Sequence, residues 1–195
     1  MLQEKLKDWN LILASGSPRR QHFFEELKLN FEVRLKSVEE VFPNHLKGHE
    51  VSDYLAEIKS FPFKEELRPN DILITSDTVV WHNDKILGKP LNKAEAFAML
   101  ESMSGTSHEV ITSVCFCTTK IQKTINCTTK VKFRKLTHAE IDFYIDNYKP
   151  FDKAGGYGIQ EWIGHIGIEE IQGSYTNVMG LPTHLLYKTL SDLVS

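Results

Sequence analysis

Two adjacent arginines follow a turn of small residues in Ser15-Gly16-Ser17-Pro18-Arg19-Arg20, and residues of that kind in that order can hold an anion. The apolar run at residues 11–14 reads as a short buried strand. Ser17 stands where a helix cap belongs and Pro18 at the first helical position, so a helix is predicted from there through about Leu29, with Phe23, Phe24 and Leu27 inward. A helix N-terminus offers free N–H groups and the positive end of the helix dipole, which favour a phosphate. Arg19 and Arg20 in the first turn oppose that dipole, at a small cost that a bound anion would offset. The segment is not the G-x-x-x-x-G-K-[ST] phosphate loop, which occurs nowhere in the chain. On this motif alone, a phosphate cradle and a surface turn with solvated arginines fit equally well.

Asp77 follows the apolar run Ile72-Leu73-Ile74-Thr75, at or near the end of a predicted strand. Catalytic groups of α/β proteins gather at that edge of a sheet, and a carboxylate there can ligate Mg2+ or take a proton from water. Lys89, between Gly88 and Pro90, is a point charge for phosphate in a stiffened loop. Glu39 and Glu40 lie in the loop after a predicted strand, and Lys59 lies on the helix that follows. Taken singly, Glu39 and Glu40 read better as a solvated acidic pair and Lys59 as a solvated helix face, while Asp77 also fits a plain turn and Lys89 an exposed one. In Asp152-Lys153-Ala154-Gly155-Gly156-Tyr157-Gly158-Ile159-Gln160, three glycines allow the backbone to pass close to a ligand. Gln160 carries the donor and acceptor needed to read a base edge.

The elements that must position these groups are legible from periodicity and punctuation. Phe31, Val33 and Leu35 alternate as a half-buried strand does, and Val51, Tyr54, Leu55, Ile58 and Phe61 fall at helical spacing. Asn83-Asp84 marks a hairpin turn. Asn92 with Glu95, and Thr137 with Glu140, have the spacing of capping boxes, the second opening a helix with Ile141, Tyr144, Ile145 and Tyr148 on one face. Residues 108–119 and 126–136 read as long, antiparallel neighbouring strands, residues 151–180 as short strands between glycine turns, and Leu185, Leu186, Leu190 and Leu193 as the apolar side of a closing helix. No repeat or linker interrupts the chain. The expectation is one α/β domain over residues 1–195, with a mixed, strongly bent sheet and flanking helices.

Composition narrows the function classes. With 195 residues, 41% hydrophobic and 25% charged, the chain can bury a full core. A net charge of -3, with no basic stripe interleaved with aromatics, speaks against polymeric nucleic acid as a partner. Cys115, Cys117 and Cys127 have neither the number for a disulfide framework nor the spacing of a zinc site, and are expected as reduced thiols in or near strands. The N-terminus has no signal-peptide pattern, and no apolar stretch approaches the roughly 20 residues that cross a bilayer. A cytoplasmic protein without a membrane association is expected.

Taken together, LASGSPRR (13–20), EE (39–40), LAEIKS (55–60), SDTVV (76–80), LGKP (87–90), SGTSHEVIT (104–112), DKAGGYGIQ (152–160) and GSYTNVMGLP (173–182) resemble the Maf family in order and spacing, from near residue 11 to near residue 190. The resemblance implies a fold like that of inosine triphosphate pyrophosphatases, with two lobes around a cleft. It also implies hydrolysis of nucleoside triphosphates between the α and β phosphates, dependence on Mg2+ or Mn2+, and assembly as a homodimer. By motif position, Ser15, Arg19 and Arg20 fall on the phosphate-binding loop and Lys59 and Lys89 on the family's two lysines. Asp77 falls on the proton acceptor and Glu40, with Glu39 its neighbour, on the acidic site residue that joins Asp77 at the metal. Gln160 falls on the glutamine near the nucleotide. SGSPRR, Thr78 after Asp77, and GIQ look like the subgroup acting on dTTP, UTP and modified uridine triphosphates rather than the one preferring 7-methyl-GTP, with Arg19, Thr78 and Gln160 at its specificity positions. Ser60 and Ser76 stand where the family usually has alanine, and residues 161–171 drift from its common sequence. The alternative is a non-catalytic nucleotide-binding regulator of cell division, which would use the same pocket without turnover.

Overall fold

Ile72, Leu73 and Ile74 show no polar alternation because the strand they form is covered on both faces, each being 0% exposed. In the computed structural model, which describes residues 1–195, they open β3, Asp71–His82. β1, Asn10–Leu13, runs parallel to β3, with Leu11 opposite Ile72 and Leu13 opposite Ile74, and β2, Phe31–Val33, runs parallel to β1. β4, Lys85–Leu87, turns back antiparallel on β3. The turn is made by Asn83 and Asp84, both at positive φ (49° and 59°), as a two-residue hairpin turn requires. β5, Ser107–Cys117, and β6, Gln122–Phe133, are sheet neighbours joined through residues 118–121, and β7, Ile168–Gln172, lies antiparallel on β6. The seven strands form one sheet in the order β2-β1-β3-β5-β6-β7, with β4 on β3. The sheet is mixed, as the pattern anticipated.

Eight α-helices accompany it: α1 (Leu2–Lys5), α2 (Pro18–Glu26), α3 (His49–Ile58), α4 (Lys93–Met103), α5 (His138–Tyr148), α6 (Trp162–Gly167), α7 (Tyr175–Val178) and α8 (Thr183–Leu193). Short 3-10 turns occupy Phe61–Glu66 and Ala154–Gly156. No helix is long and apolar enough to cross a membrane. The three cysteines are free thiols in β5 and β6, Cys115 and Cys117 buried.

The chain divides into two compact units, one from Met1–Asp77, Thr112–Cys127 and Gly180–Ser195, the other from Thr78–Ile111 and Thr128–Met179. In the first, alternate residues of the central strands feed opposite faces. Leu11, Leu13, Ile72, Ile74, Val114 and Phe116 pack with Phe24 of α2 and Leu186 and Leu190 of α8. Ile12, Leu73, Cys115 and Cys117 pack with Ala56 of α3 and Phe63. In the second unit, Val80, Val110, Val131 and Phe133 bury against Leu100, Met103, Ile141, Tyr144, Ile145 and Ile163.

Several local expectations shift. Helix α2 stops at Glu26 rather than Leu29, because Lys28 takes a left-handed conformation (φ 54°) that ends the helical turn. Ser17 is its N-cap residue, but the side chain makes no capping hydrogen bond. β2 ends at Val33, leaving Leu35 65% exposed. Residues 151–180 hold a 3-10 turn, α6 and α7 and a single strand, β7, in place of several short strands. Of the two capping pairs, Thr137 and Glu140 form the complete box, whereas Glu95 reaches back to the N–H of Leu91 rather than of Asn92.

One buried group gives the second unit a pH dependence. His108, at the start of β5, is 2% exposed, stacks on Phe133 and lies 2.7 Å from the Tyr157 hydroxyl through Nε2. Burial, with a smaller contribution from His82, lowers its pKa from 6.5 to about 3. The unfolded chain therefore binds a proton below its ordinary histidine pKa that the folded chain refuses. The contribution is intact above that value and is lost progressively as pH falls toward 3. About 2 kcal/mol should be gone by about pH 5. Thermal melts between about pH 7.5 and about pH 5 should show a steeper fall for the unaltered chain than for His108→Gln. Equal slopes would remove His108 from the account.

Candidate active site

β1 ends at Leu13, Ala14 still donates its N–H to the Ile74 carbonyl (2.9 Å), and the chain then turns through residues 15–17 into α2. Ser15 is buried within the turn. Its hydroxyl oxygen accepts from the N–H of Ser17 and from Nη1 of Arg20, both at 3.3 Å, and its carbonyl accepts from Nε2 of Gln21 at 3.2 Å. Arg20 reaches further, donating from Nε to the Gly180 carbonyl (2.8 Å) and from Nη1 to the Ser76 carbonyl (2.9 Å). Burial pushes its guanidinium below the ordinary arginine value. The charge of Asp77 opposes that shift, Arg19 adds to it, and Glu40 opposes it. Arg20 thus ties the turn to the residue before Asp77, and part of the donor set assigned to phosphate from the sequence is spent on protein carbonyls.

Asp77 lies inside β3, not at its end. The ladder with β1 closes at Leu13–Ile74, while β3 continues to pair with β4 from Val80. The parallel part of the sheet therefore still ends just before Asp77, and the aspartate occupies that edge although its strand runs on. It is 7% exposed. Lys59 follows the last residue of α3 as its C-cap, and its ammonium stands 2.6 Å from Asp77 Oδ1 and 3.0 Å from Glu40 Oε1. Two carboxylates eighteen or more positions away in sequence thus converge on one cation.

Glu40, like Glu39, is exposed, in the stretch of residues 34–48 that holds no helix or strand. The stretch is nonetheless tethered. Lys36 Nζ donates to the Pro62 carbonyl (2.7 Å), pairs with Glu66 and lies 5.0 Å from the centre of the Phe63 ring. Both tethers, Lys36 and Glu40, end on residues 59–66. Lys36 looks like any surface lysine until its partners are known. Ser76 is buried at 1% exposure with its hydroxyl lacking a hydrogen-bond partner, on the residue whose carbonyl holds Arg20.

Thr78, Lys89 and Gln160 belong to the second unit. Thr78 is partly buried in β3, and Lys89 is exposed in the loop between β4 and α4. That loop is joined to the glycine segment, since the Gly88 carbonyl accepts from the N–H of Gly155 at 3.0 Å. Gly155 has φ +70°, and a Cβ there would stand 2.9 Å from Cγ2 of Val80, so glycine is required on both counts. Gln160, half-buried, leads into α6, and Glu161 after it anchors the segment. Glu161 accepts from the Tyr144 hydroxyl and from Lys153 Nζ (3.1 Å), and the Gly158 N–H donates to Tyr144 (3.0 Å). Burial, then the bond to Glu161, pushes the Tyr144 hydroxyl pKa up. Lys153 and Glu161 carry no sequence signal for this network, which follows only from their contacts across the fold. The structure brings Ser15, Arg20, Glu40, Lys59 and Asp77 together in the first unit, with Arg19 close enough to influence Arg20.

The family described as Maf-like protein matches residues 10–193, nearly the whole chain. The chain belongs to the Maf family. Two relatives named dTTP/UTP pyrophosphatase align from end to end: that of Flavobacterium johnsoniae is 57% identical over 194 residues and that of Christiangramia forsetii 55% identical over 195, each covering 100% of both chains. Among solved structures, the Ham1 protein of Staphylococcus aureus is similar with a TM-score of 0.54 at 14% identity, covering 94% of this chain and 99% of that one, a likeness of fold. The α/β mixed sheet with flanking helices is therefore the Maf fold. Within it, no group of three or more His, Cys, Asp or Glu side chains encloses a metal position. Beside the Ser15 turn, the carboxylates of Asp77 and Glu40 converge on the Lys59 ammonium.

Proposed function

We propose that this chain hydrolyses dTTP and UTP, with modified pyrimidine triphosphates as further substrates, to the monophosphate and pyrophosphate. The observation that carries the reading is the convergence of Asp77 and Glu40 on Lys59, beside the turn that Arg20 ties to β3. The names of relatives at 55–57% identity over the full length support the same activity. Arg19, Lys59 and Lys89 match the charge of the triphosphate, and N–H groups at the start of α2 add to it. Arg20 holds the Ser15 turn against β3. Arg19, Thr78 and Gln160 are assigned to choice of base on their motif positions.

Asp77 is the proton acceptor. Oδ2, the Asp77 oxygen that the Lys59 contact does not use, is the one assigned to a water. The water oxygen bonds to the α-phosphorus, its proton passes to Asp77, and the bond from the α-phosphorus to the bridging oxygen breaks, releasing pyrophosphate. Catalysis is then largely positioning and charge stabilisation. Hard carboxylate oxygens converging on one cation suit Mg2+ or Mn2+, which is held by one or two carboxylates together with water and phosphate, and Glu40 and Asp77 are the residues that would hold it. When bound, the metal supplies charge neutralisation and polarisation of phosphate oxygens. Assembly as a homodimer belongs to the same reading and rests on the family resemblance.

The test is a product assay with purified protein, dTTP or UTP and Mg2+. Monophosphate and pyrophosphate in equal amounts are expected. Release of orthophosphate alone would overturn the assigned bond, and tight binding without any release would favour the regulator.

A further inference from the structure

We infer that Lys59 is an internal competitor of the divalent cation: it keeps the Asp77–Glu40 carboxylate pair closed to free metal and yields it when a triphosphate arrives. The inference rests on the proposed activity. Three observations carry it. Lys59 Nζ contacts an oxygen of each carboxylate, at 2.6 and 3.0 Å, and so stands where those two donors converge. The Lys59 side chain is 18% exposed and that of Asp77 10%, so the Lys59–Asp77 contact is shielded from water and its charges are felt strongly, whereas Glu40, at 47%, closes the cluster from the solvent side. The charges near it are already matched: Asp77 and Glu40 face Lys59 and Arg20, and Arg19 adds a further positive charge in reach of Arg20.

A divalent cation arriving alone would have to displace the ammonium and would leave the cluster strongly positive. A polyanionic triphosphate reverses both terms. Its phosphates neutralise the excess charge and offer the released ammonium a new partner of the same kind as the one it gives up. Lys59 leaves the C-terminal end of α3 on a flexible four-carbon stem, so the exchange needs rotation of one side chain and no backbone movement. Metal and nucleotide must then bind cooperatively, each raising the affinity of the other by the same factor.

Calorimetry reads this without turnover. Mn2+ alone is titrated into the unaltered protein, and a dTTP analogue with a non-hydrolysable α–β bridge is titrated with and without Mn2+. Mn2+ alone should bind weakly, and Mn2+ should tighten the analogue by about tenfold to a hundredfold. Lys59→Met should bind Mn2+ alone about tenfold more tightly than the unaltered chain, and the double variant Lys59→Met/Glu40→Gln should lose that gain. Should Lys59→Met fail to fold, the unaltered chain still decides, because cooperativity is read on it directly. Equal affinity for the analogue with and without Mn2+ would overturn the proposal, and so would a folded Lys59→Met with no gain. Failure of the pyrophosphatase reading would show instead as absence of pyrophosphate release, which these titrations do not measure.

Discussion

Asp77→Asn should slow dTTP and UTP turnover by on the order of a hundred- to ten-thousand-fold, the usual worth of a positioned proton acceptor. Thermal stability should change little, because the substitution keeps shape and hydrogen-bonding capacity, while metal-assisted substrate binding should weaken as one of the two carboxylates is lost. The amide oxygen of Asn can still accept from Lys59, and Lys59 retains Glu40 as a charged partner at 3.0 Å. No buried charge is stranded, so the large penalty of breaking a buried pair does not arise. Single-turnover rates with the analogue affinity as a control separate chemistry from binding. Turnover within about tenfold of the unaltered chain would mean that another group takes the proton.

Gly164→Ala should damage the fold itself. A Cβ on Gly164 would stand 1.8 Å from the carbonyl oxygen of Ile159, a backbone atom that no side-chain rotation can move away. Ile159 and Ile163 are both buried, at 5% and 1% exposure, so retreat of the 159–161 backbone would disturb the second unit's core. The displacement would also carry Gln160, the neighbour of Ile159, and the Glu161 carboxylate on which Tyr144 and Lys153 depend. A loss of about 3 kcal/mol is expected. For a chain of this size that corresponds to a fall of about 6–12 °C in melting temperature. A raised KM should accompany it if Gln160 contacts the base. A variant melting within about 2 °C of the unaltered chain would show that α6 can shift freely.

What could be read in advance was what local physics decides. The apolar run 72–74, Pro18 at a helix start, the Thr137–Glu140 box and the Asn83-Asp84 turn each follow from a few neighbouring residues, and each is present. Element ends were less legible. α2 stops at Glu26 rather than Leu29 because Lys28 takes a left-handed turn that its residue type does not announce. The glycines of 151–180 suggested turns between strands, yet glycine also permits the tight helix packing seen at Gly164, and the segment holds short helices beside a single strand. For the site, the motifs named the residues but not their partners. That Lys59 bridges Asp77 and Glu40, or that Arg20 spends donors on Ser76 and Gly180, depends on contacts between segments far apart in the chain. Ser76 carries a buried hydroxyl without a partner, a cost invisible until the neighbours are in place.

The final helix has a consequence for biosynthesis. Leu181, Leu186 and Leu190 are wholly buried among Leu11, Leu13 and Phe24, and the Gly180 carbonyl receives Nε of Arg20. During translation, β1 and α2 emerge from the ribosome long before the leucines that cover them. The polypeptide must keep that oily surface uncommitted until the α8 leucines have been made, so docking of β1 and α2 into a finished core waits on α8 and leaves an aggregation-prone face exposed in the interval.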